Sequence, residues 1–207
     1  MKIIILGPQG SGKGTQAELL AKDLGLTRIT MGERLRQEVA SGSRLGQMIK
    51  ELIDKGEMVP DELVQKMIQH HIEASRGKFI LDGFPRNASQ ANWLDNIINI
   101  DKVILLDVKD KTSIERLTSR RECAKGHTYN LMTNPPKKKD FCDEDGLPLK
   151  KRDDDVTIAI IRRLETYHSQ TKPLLQHYKD KLLHVDGEQN IPSVYRNILK
   201  LLHAKPE

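Results

Sequence analysis

Lys2-Ile3-Ile4-Ile5-Leu6 runs directly into Gly7-Pro8-Gln9-Gly10-Ser11-Gly12-Lys13-Gly14-Thr15, and the reading of this stretch decides the fold. The first five residues suit a short strand buried on both faces. Residues 15–24 (TQAELLAKDL) carry a helical period. A strand, a glycine-rich turn and a helix in that order let a backbone cradle phosphate. Gly7, Gly10 and Gly12 leave amide N–H groups unshielded, the helix points its positive end at the anion, and Lys13 adds a full charge. The stretch predicts binding of a nucleoside triphosphate.

The spacing G-x-x-x-x-G-K is met by Gly7, Gly12 and Lys13, but Gly14 follows the lysine and the hydroxyl arrives one place late, at Thr15. In the common form the residue after the lysine ligates Mg²⁺, so here the metal must lean on water and on a carboxylate elsewhere. A glycine-rich loop without chemistry would not need strand, loop, lysine and helix in this order.

The chain has 207 residues, enough for one core with small inserted lobes rather than a second large domain. Its net charge is +5, with 34 Lys and Arg spread among 29 acids, which suits polyphosphate handling. Nucleic acid is not expected as a partner: the only dense basic run is Lys137, Lys138 and Lys139, and aromatics, at 4% with the single Trp93, are too few to stack bases. No apolar stretch reaches the roughly 18 residues that span a bilayer, and the N-terminus enters the first strand without a leader, so the expectation is a cytoplasmic protein away from membranes. In that compartment Cys123 and Cys142 point to metal or to no special chemistry rather than to a disulfide.

Apolar runs alternate with amphipathic stretches, which predicts an α/β protein with a five-stranded parallel sheet flanked by helices. The strand candidates are residues 2–6, 27–30, 78–81, 102–108 and 182–185. Helical patterns cover 15–24, 32–41, 45–55, 60–75, 88–98, 111–121, 156–177 and 191–203. Two stretches break the repeat. Residues 30–59 hold two short helices and no strand, and read as an inserted lobe; residues 122–155, rich in Lys, Pro, Gly and Asp, read as a lid. The core is then 1–29, 60–121 and 156–207.

Phe79-Ile80-Leu81-Asp82 is an apolar strand ending in an acid, and Asp82 is the candidate for holding Mg²⁺ beside the phosphate loop. Arg36, Arg86, Arg116, Arg120, Arg152 and Arg163 are single arginines read at element ends rather than in surface pairs. Phosphoryl transfer builds charge on the migrating group, and planar guanidiniums can clamp it.

Taken together, Gly7-Pro8-Gln9-Gly10-Ser11-Gly12-Lys13-Gly14-Thr15-Gln16, Gly32-Glu33-Arg34-Leu35-Arg36, Asp82-Gly83-Phe84-Pro85-Arg86 with Gln90, Asn134-Pro135-Pro136 and Arg152-Asp153-Asp154-Asp155 closely resemble the adenylate kinase family in its long-lid bacterial form. The resemblance spans essentially the whole chain. It implies the nucleoside monophosphate kinase fold and the reaction ATP + AMP giving two ADP with Mg²⁺, by direct transfer in a monomer. It implies ATP contacts at Gly10, Ser11, Gly12, Lys13, Gly14, Thr15, Arg116, Arg120 and Gln189, and AMP contacts at Met31, Arg36, Val59, Gly83, Arg86, Gln90, Arg152 and Arg163. Catalysis would fall to Lys13, Asp82, Arg86, Arg120, Arg152 and Arg163. Residues 30–59 become the monophosphate-binding lobe.

Three departures stand out. Met31 and Glu33 replace the family's usual hydroxyl residue and Asp, and Gln189 stands where Lys is common. Gln90 and the long lid favour AMP over pyrimidine acceptors. In the lid, Cys123 with His127 and Cys142 with Asp145 form two pairs whose donors suit tetrahedral Zn²⁺. Some family members fasten this lid with zinc on three or four cysteines, and others with a hydrogen-bonded polar cluster. Here His127 substitutes for a missing cysteine; the expectation is structural zinc, with polar packing as the alternative. His70, His71, His168, His177, His184 and His203 have no paired spacing and read as surface or helix residues. The competing functions are a kinase for another monophosphate such as UMP or CMP, a GTP-dependent AMP kinase, and a nucleotide-responsive binding protein without turnover.

Overall fold

The first strand sorts its side chains by parity, and in this way sets up a core on each face of a sheet. The structure is a computed structural model that describes residues 1–203. The strands are β1 (Lys2–Leu6), β2 (Thr27–Thr30), β3 (Phe79–Asp82), β4 (Lys102–Asp107), β5 (Arg120–Glu122), β6 (Thr128–Asn130) and β7 (Leu182–Asp186). The α-helices are α1 (Lys13–Leu24), α2 (Met31–Ala40), α3 (Arg44–Lys55), α4 (Asp61–Ala74), α5 (Ala88–Ile97), α6 (Asp110–Thr118), α7 (Thr157–Thr166), α8 (Leu174–His177) and α9 (Ile191–His203).

Five strands form one parallel sheet in the order β2-β3-β1-β4-β7. Ile3 and Ile5 join Ile80 and Ile104 on one face, packed by Ala17 and Leu20 of α1 and by Val194 and Ile198 of α9. Ile4 and Leu6 join Leu81, Val103 and Leu105 on the other, packed by Ile68 of α4, Leu94 of α5 and Tyr178. Each fully buried side chain of this size contributes roughly 1.5–3 kcal/mol relative to exposure. A slip of one residue in β1 would exchange the two cores, so its register is firmly specified.

β1 lies between β3 and β4, and the strand order reverses there. In open α/β sheets this places a crevice beyond the carboxyl ends of the strands. The glycine-rich loop leaves β1 at that end, and Asp82 closes β3 there. Between β2 and β3, α2 and α3 pack on each other. Ser43 caps α3 by accepting from the Gly46 amide at 2.9 Å, and a Cβ on Gly46 would collide with the Glu38 carbonyl.

All five sheet strands lie where the sequence places them, with ends moved by a residue. Two helices differ. The helix expected over 111–121 stops at Thr118, because Arg120–Glu122 pairs antiparallel with Thr128–Asn130 and the Asn130 side chain donates to the Arg116 carbonyl at 2.9 Å, satisfying the helix end. The helix expected over 156–177 ends at Thr166 and opens into a wide π-turn over Tyr167–Thr171. Lys172 N–H there bonds Tyr167 O, five residues back, at 2.8 Å, and Pro173 has no N–H with which to continue the ladder. The last four residues of the expected core segment 156–207 lie outside the described residues.

Candidate active site

The turn after β1 leaves most of its amides free; the Ser11 N–H bonds back to the Pro8 carbonyl at 3.2 Å. Gly10 sits at φ 83°, and a Cβ there would stand 2.7 Å from the Ser113 carbonyl, so the loop packs on α6 only with glycine. Gly12 at φ 95° precedes the first turn of α1, whose early N–H groups have no capping side chain and face the crevice side of the loop. Lys13 bends back over the loop and donates to the Gly7 and Pro8 carbonyls, both at 2.7 Å. Burial draws the Lys13 ammonium down to about 8; Asp82 opposes this, and Arg86 and Arg120 add to it. A polyphosphate in the loop supplies the negative charge that this ammonium lacks.

Asp82 is 8% exposed, and one of its oxygens lies 3.5 Å from where a Gly14 Cβ would stand. Burial raises its carboxyl, while Lys13, Arg86 and Arg28 pull it down. No protein hydrogen bond to its carboxylate is formed among the described residues, so an oxygen donor suited to a hard cation stands beside the phosphate loop.

Guanidiniums form the other walls of one cavity of about 610 Å³: Arg28, Arg36, Arg86, Arg116, Arg120, Arg152 and Arg163 all line it. Arg120 makes a bidentate pair with Asp155 at 2.8 and 2.6 Å, and Arg163 reaches the same carboxylate at 3.2 Å. Asp155 is fully buried and therefore aims both groups. Arg163 also pairs with Asp154 at 3.2 Å. Arg152 pairs with Glu122, and Arg36 stands 3.9 Å from the same side chain. Burial, then Arg120 and Arg36, draw Arg152 down to about 9 against Asp154 and Asp155. Burial likewise lowers Arg36 and Arg86. Such shifts mark a cluster of cations short of negative charge, a site that gains by taking an anion.

Arg116 donates to the Gly187 carbonyl at 2.9 Å and the Gln189 amide to Asp186 at 3.1 Å, both on the cavity wall. Gly10, Ser11, Gly12, Lys13, Gly14 and Thr15 share that wall. Arg36, Gly83 and Arg86 line the same cavity, with Arg86 Nε donating to Gly83 O at 2.9 Å. Met31, Val59 and Gln90 are 1%, 6% and 1% exposed and are not among the residues lining the cavity. Arg36 lies inside α2, not at an element end.

The sequence reading did not single out Glu122 or give Asp154 and Asp155 a role; the acids following Arg152 were the available signal. Arg28, paired with Glu33, was also missed, and nothing in its local sequence marks it as a cavity residue.

Cys123 Sγ and His127 Nδ1, in the turn between β5 and β6, and Cys142 Sγ and Asp145 Oδ2, in the segment after β6, lie within 4.8 Å of one another. Cys123 Sγ is 3.2 Å from Asp145 Oδ2 and 3.5 Å from His127 Nδ1, which is 3.1 Å from Asp145 Oδ2 and 3.3 Å from Cys142 Sγ. Ligands about 2.0–2.3 Å from a tetrahedral zinc stand about 3.3–3.8 Å apart, so the cluster is compatible with a zinc site.

A model of the family "Adenylate kinase" matches residues 5–183. The chain is 40% identical over 212 residues to an adenylate kinase of Thermoanaerobacter sp. (strain X514), covering 98% of each. It is 43% identical over 208 residues to one of Methanocella arvoryzae, covering 96% of each. Against one of Petrotoga mobilis it is 35% identical over 212 residues, covering 99% of this chain and 98% of that one. A phosphate loop that shares one cavity with a set of arginines, together with these full-length likenesses, means that the chain belongs to the adenylate kinase family.

Proposed function

We infer that the cleft transfers the terminal phosphoryl group of ATP to AMP, reversibly, giving two ADP. The observation that carries this is that one cavity is lined both by the phosphate loop with Lys13 and by Arg36, Arg86, Arg120, Arg152 and Arg163. In this reading two phosphate chains lie end to end in it, with the arginines around the group that passes between them. A nucleotide sensor would need the loop but no clamp on both sides. Positioning and charge neutralisation then do the work, without a covalent intermediate. The arginines hold the oxygens of the migrating group, and closure over it excludes water.

The individual roles are part of the same reading. The loop amides from Gly10 to Thr15 and Lys13 hold the ATP phosphates, Arg116 packs on the ATP base, and Gln189 borders it. Arg36 and Arg86 hold the AMP phosphate, and the AMP base enters beside Met31, Val59, Gly83 and Gln90. ATP arrives with Mg²⁺, which offsets phosphate charge; Asp82 is the carboxylate that would hold it, directly or through water, and its free oxygens beside Gly14 support this. Residues 30–59 act as the monophosphate-binding lobe, 122–155 as the lid, and the rest as core. The convergence of four donors in the lid supports a structural Zn²⁺ on Cys123, His127, Cys142 and Asp145, fastening the hairpin and leaving no open position. Both cysteines are free, which suits a reducing cytoplasm, and one chain supplies both walls of the site, which suits a monomer.

The test is ADP formation from MgATP with AMP, CMP, UMP or GMP offered singly. AMP should be the preferred acceptor; a pyrimidine preference, or no turnover with any of them, overturns the reading.

A further inference from the structure

We infer that Asp61 is a positioning residue that sets which purine the acceptor site takes, by locking the Gln90 carboxamide into one of its two orientations. The inference rests on the reading above that Gln90 meets the acceptor base. It goes beyond that reading in saying what makes the contact selective.

A glutamine amide is nearly symmetrical in shape and opposite in polarity at its two ends. Turned over, it exchanges a donor for an acceptor. At Gln90 both ends are held by groups of one polarity. Oε1 accepts from the Arg86 backbone N–H at 2.8 Å, and that group can only donate. Nε2 donates to Asp61 Oδ1 at 2.7 Å, and an ionised carboxylate can only accept. Reversing the amide would set donor against donor and acceptor against acceptor at once, in a site where Gln90 is 1% exposed and water cannot compensate.

Asp61 is itself fixed. Asn87 Nδ2 donates to both its oxygens, at 3.0 and 3.2 Å, and Asn87 in turn is oriented because its Oδ1 accepts from the Gln90 backbone N–H at 2.8 Å. The ring closes: the Asn87 cap of α5 orients Asn87, Asn87 orients Asp61, and Asp61 orients Gln90.

Each end of the Gln90 amide keeps one free valence, a lone pair on Oε1 and a hydrogen on Nε2. This pair complements the 6-amino donor and neighbouring ring-nitrogen acceptor of adenine, the match by which glutamine reads adenine elsewhere. A 6-oxopurine offers an acceptor where adenine offers a donor, so Oε1 faces another acceptor. An amide free to turn would accommodate it; one held by Asp61 does not. The plain alternative is that Asp61 only favours the start of α4, as an acid in the first helical turn does. That role affects stability but not base choice.

The experiment compares kcat/KM for AMP and for IMP, its 6-oxo counterpart, in the full chain with MgATP. Asp61→Asn puts a group of either polarity opposite Nε2 and leaves the Arg86 N–H as the one remaining hold on the amide. The AMP-to-IMP ratio is expected to narrow at least tenfold, mainly through a lower KM for IMP. Asn87→Ser keeps a capping oxygen but removes the donors to Asp61, and should narrow the ratio in the same direction by less. In a Gln90→Leu background, Asp61→Asn should move the ratio less than twofold. A ratio unchanged in both Asp61→Asn and Asn87→Ser, with Gln90→Leu still raising the KM for AMP, overturns the lock alone. Gln90→Leu leaving the KM for AMP and the ratio as they were overturns the base contact beneath it, and the lock with it.

Discussion

The phosphate loop and the arginines that share its cavity are made by different means. The loop works with backbone amides and one lysine, all within a few residues of Gly7. The arginine cluster works with side chains from four separate stretches, held by Asp155, Asp154 and Glu122. A backbone site is stiff and tolerant of its surroundings. A site made of ion pairs depends on every partner and on the segment that carries it.

The sharpest way to break this comparison is to remove one guanidinium from each side of the transferred group. Arg86→Ala and Arg120→Ala should each cut kcat by about 10²–10³-fold, as loss of one preorganised charge donor does, while calorimetry still records ATP binding through the loop. Unchanged kcat in both variants would refute the clamp.

Metal removal probes the segment rather than the wall. Protein purified without chelator should contain about one equivalent of zinc, as bound structural zinc is part of the folding free energy. Chelation, or Cys142→Ser, should lower the melting temperature and slow turnover by loosening the hairpin. Metal-free protein whose melting curve is unaltered by chelator would reject the zinc site and leave hydrogen bonding among the four side chains.

The smallest effect concerns the loop. Because burial brings the free-enzyme lysine to about 8, raising the pH through 8 neutralises Lys13 and, on the role proposed for it, should weaken ATP binding. The kcat/KM for ATP should therefore fall on the alkaline side of about 8, and the limb should vanish in Lys13→Arg, whose guanidinium stays charged. An alkaline limb retained in that variant assigns the ionisation to another group.

The same contrast explains what the sequence made legible. Strand, loop and helix around Lys13 are local, and so are the apolar runs of the five sheet strands. Asp82 could be placed because it ends such a run. The ion pairs could not: Asp155 lies 35 residues from Arg120, and no periodicity links them. Residues 120 and 121 read as helix because they continue the helical pattern of α6 and nothing local announces the hairpin, and the strong helical pattern over 156–177 hid a π-turn whose one local sign is Pro173. That turn matters to the site, since Thr171 within it donates to the Arg86 carbonyl at 2.7 Å. His127 was legible as a donor from chemistry alone, and the structure brings it to the two thiols.

β1 is synthesised before the strands it pairs with, and it occupies the middle of the sheet. Its partners begin at Phe79 on one edge and Lys102 on the other, so a nascent chain emerging from the ribosome carries a finished phosphate-loop sequence with no walls to hold it. Pairings of such long sequence separation form late. Nucleotide in the cell can therefore assist folding only once β4 has been made, and truncations before β4 should yield chains that neither bind ATP nor resist proteases.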